Sequence, residues 1–194
     1  MFFPSSFKRS VQYGQRDPEN TVQRTEALNK THYAESPYIM VTYPEALAES
    51  VISKENLEKN TLQISLGDKV SPGFINEFLF EYGFERVDFV YEPGQFSIRG
   101  SIVDIFSYSQ EDPFRLDFFG DEVDSIRSFN IDSQISKERL KKVTIVPDIQ
   151  HKNIEAHRIS MPEFLPEETI YFCSNLDMFL DRVSSIYKQT LSTK

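Results

Sequence analysis

Several residue types that would point to particular functions are scarce in this chain of 194 residues. It has no tryptophan and a single cysteine, Cys173, which excludes an intrachain disulfide and a zinc site built on several thiolates. One cysteine also fits a reducing, cytoplasmic setting. No apolar run reaches the roughly 18 residues of a membrane span, so we expect no membrane partner. Met1 to Pro4 lack a signal-peptide pattern and are typical of a strand end within a longer chain.

Motifs for catalysis are missing as well. The sequence contains neither a G-x-x-x-x-G-K-[ST] phosphate loop nor a G-x-S-x-G nucleophile elbow. Cys173 lies in an apolar predicted strand without a local histidine motif, which favours a buried structural thiol over a nucleophile. His151 and His157 have no cysteine nearby and are a weak basis for a metal site. We therefore expect a chain that is not an enzyme and holds no metal.

Positive charge is in short supply, whereas phenylalanine is abundant. The chain has 21 Lys and Arg against 30 Asp and Glu, which gives a formal net charge of −9. Nucleic-acid affinity depends on clustered basic residues that displace counterions from phosphates, so this balance disfavours a nucleic-acid-binding protein. The 17 phenylalanines predict cores or contact surfaces built on aromatic rings.

The distribution of apolar residues divides the chain into three zones, residues 1–60, 61–147 and 148–194, and predicts an α+β fold. In the first zone the patterns predict a helix over Thr21–Lys30, a buried strand over Tyr38–Thr42 and a second helix that opens at Pro44. In the last zone they predict a strand over Thr169–Cys173, followed by an amphipathic helix with an apolar stripe of Leu176, Phe179, Leu180 and Val183.

The middle zone has the pattern of an antiparallel meander with one packed helix. Strands are predicted at Leu62–Leu66, Val87–Val90, Phe96–Phe106, Phe114–Phe119, Ile126–Phe129 and Val143–Val146. The helix begins at Ser71-Pro72, places Phe74, Ile75, Phe78 and Leu79 at helical spacing, and is capped by Gly83. We expect this helix to pack on one face of the sheet.

The strand Phe114–Phe119 is the most informative segment for function. Successive side chains of a strand point to opposite faces. Phe114, Leu116 and Phe118 therefore predict a core face, and the preceding strand adds Phe96 and Ile98 to it. The opposite, wet face would carry Ser97 and, if the two strands pair, an open patch of Arg99, Arg115, Asp117 and Phe119. Arginine and aromatic residues are enriched at interface hot spots.

Simpler interpretations of the same residues exist. Phe119 could pack under a neighbouring loop while Arg115 pairs with Asp117 along its own strand, and alternation alone favours this view. The carboxylates of Asp104, Asp117, Asp121, Glu122 and Asp124 could suggest a metal or acid–base site. Alternation splits them between the two faces, so we interpret them as solvated surface around a turn.

A family resemblance changes the balance between these interpretations. The segments Glu92–Phe106 and Pro113–Arg127, read from Glu-Pro-Gly-Gln-Phe-Ser-Ile-Arg-Gly to Gly-Asp-Glu-Val-Asp-Ser-Ile-Arg, resemble the UvrA-binding domain that UvrB shares with transcription-repair coupling factors (Mfd). The flanking zones resemble α/β pieces of the degenerate helicase-like domain that this domain interrupts in the UvrB-like N-terminal module. Two features favour the coupling factors: Ser97 stands where UvrB usually has a second arginine, and Phe3 to Gln15 keeps only Tyr13 of a tyrosine-rich DNA-clamping hairpin.

The resemblance implies a function in transcription-coupled nucleotide excision repair. It places Arg99, Arg115 and Phe119 at positions through which this family contacts UvrA, with Asp117 beside them, and the chain would recruit UvrA to stalled transcription complexes. RNA polymerase, DNA, ATP and magnesium would be bound by other domains of the parent protein, so no cofactor is expected in these residues. The alternative is a UvrB-type damage-recognition fragment that contacts DNA.

Overall fold

The computed structural model describes residues 1–6, 18–149 and 157–192; for Pro18 and residues 189–192 it describes the backbone only. These residues fall into two compact units, one within Met1–Leu57 and Ala156–Lys194 and the other within Glu58–Glu155. Most of the first and third predicted zones thus share one unit, whereas the division into three domains itself stays a prediction. Tyr13 and His151 lie outside the described residues.

Helices interspersed with two short strands open the described chain, a run of strands follows, and two helices come last. The helices are α1 (Pro18–His32), α2 (Pro44–Leu47), α3 (Lys54–Lys59), α4 (Pro72–Glu81), α5 (Met161–Phe164) and α6 (Leu176–Ser192). The strands are β1 (Val51–Ile52), β2 (Leu62–Ser65), β3 (Glu85–Arg86), β4 (Gln95–Arg99), β5 (Ile102–Ile105), β6 (Phe114–Phe119), β7 (Glu122–Phe129), β8 (Ser136–Arg139), β9 (Lys142–Ile145) and β10 (Arg158–Ile159). This mixture of helices with mostly antiparallel strands confirms the predicted α+β class.

A six-stranded sheet is the centre of the second unit. Its order is β3-β4-β5-β6-β7-β8, and every pair is antiparallel except β3 with β4. Because strands β4 to β8 follow one another both in sequence and in space, they form the predicted meander. The expected single strand over Phe96–Phe106 is wrong, since the chain reverses at Gly100 (φ 61°) and the segment becomes the β4–β5 hairpin.

One face of this sheet forms the core of the second unit. Phe96, Phe114, Leu116, Ile126 and their neighbours pack there with Ile75 and Leu79 of α4 and with Ile64, Val143 and Ile145 of the β2–β9 pair. Ser71 caps the start of helix α4, since its hydroxyl accepts a hydrogen bond from the Phe74 backbone N–H at 3.1 Å, and the helix ends before Gly83 at φ 77°. The predicted helix is confirmed, although Phe74 is half exposed.

The first unit contains helices and one short strand pair, β1 with β10. Arg24 of α1 is buried there: its Nη1 donates to the Pro4 carbonyl at 2.6 Å, its Nη2 lies 3.4 Å from a Glu49 carboxylate oxygen, and its guanidinium stacks on Phe3. Burial lowers the pKa of Arg24, and the charge of Glu49 opposes that shift. This buried contact set fixes the start of the chain against α1.

Three predictions for the remaining segments are wrong. Tyr38–Thr42 is not a buried strand: Val41 makes a single bridge with Phe2, and Ile39 is 80% exposed. Val87–Val90 is not a strand either. The residues that pair with β4 are Glu85 and Arg86, just before this segment. Thr169–Cys173 forms no strand and Cys173 is exposed, since no neighbouring backbone among the described residues pairs with this segment.

The last helix follows its prediction only in part. Phe179 and Val183 are half-buried, whereas Leu176 and Leu180 are more than half exposed, so the predicted apolar stripe is only partly covered. On the polar side, Arg182 of α6 pairs with Glu45 of α2 at 2.7 Å. None of the described helices is long and apolar enough to cross a membrane.

Candidate functional site

The second face of the six-stranded sheet carries the polar residues of interest, and we call it the arginine face. It holds Ser97 and Arg99 of β4, Asp104 of β5, Arg115, Asp117 and Phe119 of β6, and Arg127 of β7. Cross-strand pairing fixes this arrangement, because Ser97 lies opposite Asp104, Asp104 opposite Arg115, and Arg115 opposite Arg127. Directly paired residues project from the same face of a sheet.

Asp104 is the centre of the arginine face. Arg115 donates to it through Nε at 2.6 Å and Nη2 at 2.9 Å, and Arg99 donates through Nη2 at 2.5 Å. The carboxylate is fully buried, whereas the side chains of Arg115 and Arg99 are 16% and 36% exposed. One buried negative charge therefore orients two arginines whose outer edges reach the surface. The expectation that Asp104 is solvated is wrong.

Arg115 is held from several sides. Its hydrogen bonds to Asp104 raise its pKa, against a smaller opposing effect of burial, and the charge of Asp117 adds to the increase. Its guanidinium lies 4.7 Å from the ring centroid of the buried Phe129. The Gln134 amide oxygen accepts a long bond from Nη2 at 3.5 Å. Among the described residues Nη1 has no hydrogen-bond acceptor, so this edge of the guanidinium remains available.

Arg99 contacts the segment between β3 and β4. Its Nη1 donates to the Asp88 carbonyl at 2.5 Å and to the Ser97 hydroxyl at 2.8 Å, and its guanidinium lies 5.0 Å from the centroid of the Phe89 ring. Ser97 in turn donates to the Asp88 carbonyl. Ser97 was predicted on the wet face, yet it is almost fully buried because this segment covers it.

Asp117 contacts β7 and forms no ion pair with Arg115. Its carboxylate accepts hydrogen bonds from Arg127 and from the Ser125 hydroxyl across the β6–β7 pair. The interpretation that Asp117 pairs with Arg115 along one strand is therefore wrong, and its effect on Arg115 is through its charge alone. Arg127 was missed from the sequence because it follows an acidic turn that we interpreted only as surface.

Phe119 stands at the end of β6 and is 84% exposed. The next residue, Gly120, has φ 64° and turns the chain into β7. The idea that Phe119 packs under a loop is therefore wrong. Its ring is presented to solvent at the edge of the charged residues, an arrangement that exposes apolar area without a partner in the described chain.

The acidic residues around the β6–β7 turn are the remaining candidates for a metal site in the described part of the chain. Asp121, Glu122 and Asp124 are exposed around the β6–β7 turn, as expected of solvated carboxylates. Among the described residues, which include His157 but not His151, no group of three or more His, Cys, Asp or Glu side chains could hold a metal ion. The arginine face offers charge-assisted hydrogen bonds and an exposed ring, which suit recognition of another macromolecule.

Comparison with known proteins confirms the family resemblance. Residues 62–151 match the family described as the UvrB interaction domain. The chain is 36% identical over 147 residues to a transcription-repair-coupling factor of Bacillus subtilis (strain 168). The matched residues are 76% of this chain and 12% of the relative. A transcription-repair-coupling factor of Escherichia coli (strain K12) is 32% identical over 109 residues, 56% of this chain and 10% of the relative.

A third relative represents the other branch of the resemblance. The UvrABC system protein B of Pseudothermotoga lettingae is 31% identical over 100 residues, which cover 52% of this chain and 15% of that protein. The matches thus include both proteins named in the resemblance. In all three cases the chain spans only a small part of the relative's length.

Proposed function

We propose that this chain binds UvrA through the arginine face and so recruits the repair machinery to stalled transcription complexes in the bacterial cytoplasm. The observation that carries the proposal is the exposed Phe119 on the same face of the sheet as two arginines that share the buried Asp104. All of these residues lie within the segment that matches the UvrB interaction domain.

The geometry supports different contacts for the arginines and for Phe119. Asp104 occupies one edge of the Arg115 guanidinium, which leaves the Nη1 edge to receive a carboxylate of the partner in a charge-assisted hydrogen bond. Because Arg115 and Arg99 are already oriented, little side-chain entropy is lost on binding. Phe119 would enter an apolar pocket of UvrA and supply the buried aromatic area of a hot spot.

Binding to a protein fits the electrostatics better than binding to DNA. The arginines of this face are interleaved with the carboxylates of Asp104 and Asp117, and the whole chain carries a net charge of −9. A phosphate backbone favours dense positive charge without such carboxylates. In our proposal, contacts with DNA and RNA polymerase, and any use of ATP and magnesium, belong to parts of the relatives that this chain does not span.

The first experiment is calorimetric titration of UvrA with the wild-type chain and with Phe119→Ala. We expect saturable binding that weakens by about 2–4 kcal/mol in the variant, which is the cost of truncating a central aromatic anchor. The melting temperature should stay unchanged, because the removed ring is 84% exposed in the free chain.

The matched control is Phe74→Ala, which removes a half-exposed phenylalanine from α4 on the opposite side of the sheet. Its affinity for UvrA should equal that of the wild type. Equal affinities for all three proteins would show that UvrA binds elsewhere, and a folded wild-type chain that does not bind UvrA would refute the proposed function.

A further inference from the structure

The arginine face continues beyond the residues of the proposed contact. Arg115 of β6, Arg127 of β7 and Arg139 of β8 lie directly opposite one another across three neighbouring strands, and we call them the arginine row. Like charges placed directly opposite in a sheet repel each other and destabilise the pairing. Three in succession are therefore an arrangement that folding alone does not favour.

Intramolecular carboxylates compensate this row only in part. Asp104 is shared between Arg115 and Arg99, and Asp117 pairs with Arg127. Arg139 is exposed, and no hydrogen bond or ion pair to its side chain occurs within the described residues. Two carboxylates thus contact three of the four arginines on this side of the sheet, and the uncompensated positive charge lies at the β8 edge.

Arg127 has an additional unsatisfied group. Its Nε is buried and has no hydrogen-bond partner among the described residues, although its Nη2 contacts Asp117. A buried donor without an acceptor costs free energy in the free protein. The Arg127 side chain is nonetheless 34% exposed, so its outer part and the unpaired Arg139 can both donate to a partner at the surface.

We propose that Arg127 and Arg139 form a second anchor point for an acidic segment of the partner, beyond Arg99, Arg115 and Phe119. This inference rests on the proposed function and adds which chemistry the partner presents. Neighbouring strands are about 4.8 Å apart, so the row extends for about 10 Å. That length suits two or three carboxylate side chains on one protein segment, each bound by an arginine fork.

A protein segment suits this surface better than a nucleic acid does. Asp117 lies beside Arg127, and the exposed Glu122 lies opposite Phe119 on the same face. Phosphates spaced along a backbone would meet these negative charges, whereas separate carboxylate side chains can be placed between them. Steering by the excess arginines would raise the association rate with an acidic partner at low salt.

The test is a titration of UvrA with the full chain and its Arg127→Gln and Arg139→Gln variants, at low and at physiological salt. We expect affinity to fall about 10-fold for Arg127→Gln, which lies nearer the centre, and about 3-fold for Arg139→Gln at the edge. Both variants should bind with a weaker salt dependence than the wild type. Lys142→Gln removes one positive charge from β9, outside the six-stranded sheet, and should bind like the wild type.

The outcomes separate the two proposals. If Phe119→Ala loses affinity while Arg127→Gln and Arg139→Gln bind as the wild type does, the arginine row is refuted and the proposed function stands. A wild-type chain that does not bind UvrA overturns both. Arg139 is exposed on an edge strand, so its variant tests the row even if Arg127→Gln fails to fold. Salt-sensitive binding to duplex DNA that Arg139→Gln abolishes would assign the row to phosphates and overturn the inference.

Discussion

Asp104 shows how one residue can determine the chemistry of a surface. It is fully buried yet charged, and both of its oxygens accept hydrogen bonds from arginines that reach the solvent. A carboxylate can remain buried only when it is paired in this way. Its role is to orient Arg99 and Arg115, since neither arginine has another carboxylate within ion-pair distance in the described part of the chain.

Asp104→Asn should therefore destabilise the free chain. The amide has one acceptor oxygen in place of two and no charge, and its NH2 group faces a guanidinium donor, so we expect a loss of about 2–3 kcal/mol in the free energy of unfolding. Urea denaturation measures the loss. Asp121→Asn, in the exposed β6–β7 turn, is the matched control and should change stability by less than about 0.5 kcal/mol. Equal stabilities for the two variants would contradict the role of Asp104.

Tyr108 connects stability to alkaline pH. Burial, with smaller contributions from the charges of Asp148 and Glu92, raises the pKa of Tyr108 to about 12 from an ordinary value near 10. The folded state therefore holds the phenol proton more tightly than the unfolded state. The corresponding stability is fully present below about pH 10 and is lost as the pH rises towards about 12.

Replacing this phenol should flatten the alkaline part of the stability profile. Between about pH 9 and pH 12 we expect Tyr108→Phe to lose about 1–2 kcal/mol less of its unfolding free energy than the wild type, as measured by urea denaturation. Tyr91→Phe, which alters an exposed tyrosine, is the control and should follow the wild-type profile. Parallel profiles for all three proteins would disprove the assignment to Tyr108.

At the scale of elements, the turn before β4 depends on a glycine. Gly94 has φ 88°, and a Cβ there would overlap the Tyr108 hydroxyl and lie 2.9 Å from its Cζ. Gly94→Ala should lower stability by about 2–3 kcal/mol, since backbone strain and displacement of a ring combine. Gly67 is a matched control: its φ is 84°, but no atom lies within 4 Å of the added Cβ.

Comparing the two alanine variants by thermal denaturation isolates the packing contribution. Gly67→Ala should cost only the backbone strain, about 1 kcal/mol. The excess loss in Gly94→Ala then measures the contact between the turn and Tyr108. If both variants lose the same stability, the ring moves aside without cost and the contact does not hold the turn.

How much of these elements the sequence predicts depends on how local their causes are. Alternation in Phe114–Phe119 correctly predicts which side chains are buried, because both faces are set by a single strand period. The same logic missed the hairpin at Gly100, since the apolar residues of β4 and β5 form one continuous pattern. It therefore placed Arg99 and Arg115 on adjacent strands, and the buried Asp104 between them could not be anticipated.

The wrong strand predictions for Tyr38–Thr42 and Thr169–Cys173 have a non-local cause. Ile39 and Phe172 have the β-branched and aromatic character of strand residues, yet both are highly exposed. Strand formation requires a neighbouring backbone with free hydrogen-bonding groups, and the described residues offer Ile39–Val41 only the short stretch at Met1–Phe3. Local propensity cannot report whether such a neighbour is present.

At the scale of the whole molecule, the second unit has the connectivity of an inserted domain. Its first strand, β2, pairs antiparallel with its last, β9, so that Leu62 lies opposite Ile145 and the chain leaves the unit next to where it entered. The main core cluster and the whole arginine face lie within Glu58–Glu155. A segment whose ends are adjacent and which has its own hydrophobic core can fold by itself.

We therefore expect residues 58–155, expressed alone, to unfold cooperatively and to bind UvrA with an affinity within about 2-fold of the full chain. A unit of about 100 residues buries enough surface for independent stability. Urea denaturation tests the folding, and calorimetry tests the binding. A cooperatively folded segment that binds UvrA much more weakly than the full chain would mean that residues of the first unit take part in recognition. We expect binding like that of the full chain, because the pairing of β2 with β9 closes the unit. No residue outside 58–155 is then needed to complete the sheet or to orient Arg99, Arg115 and Phe119.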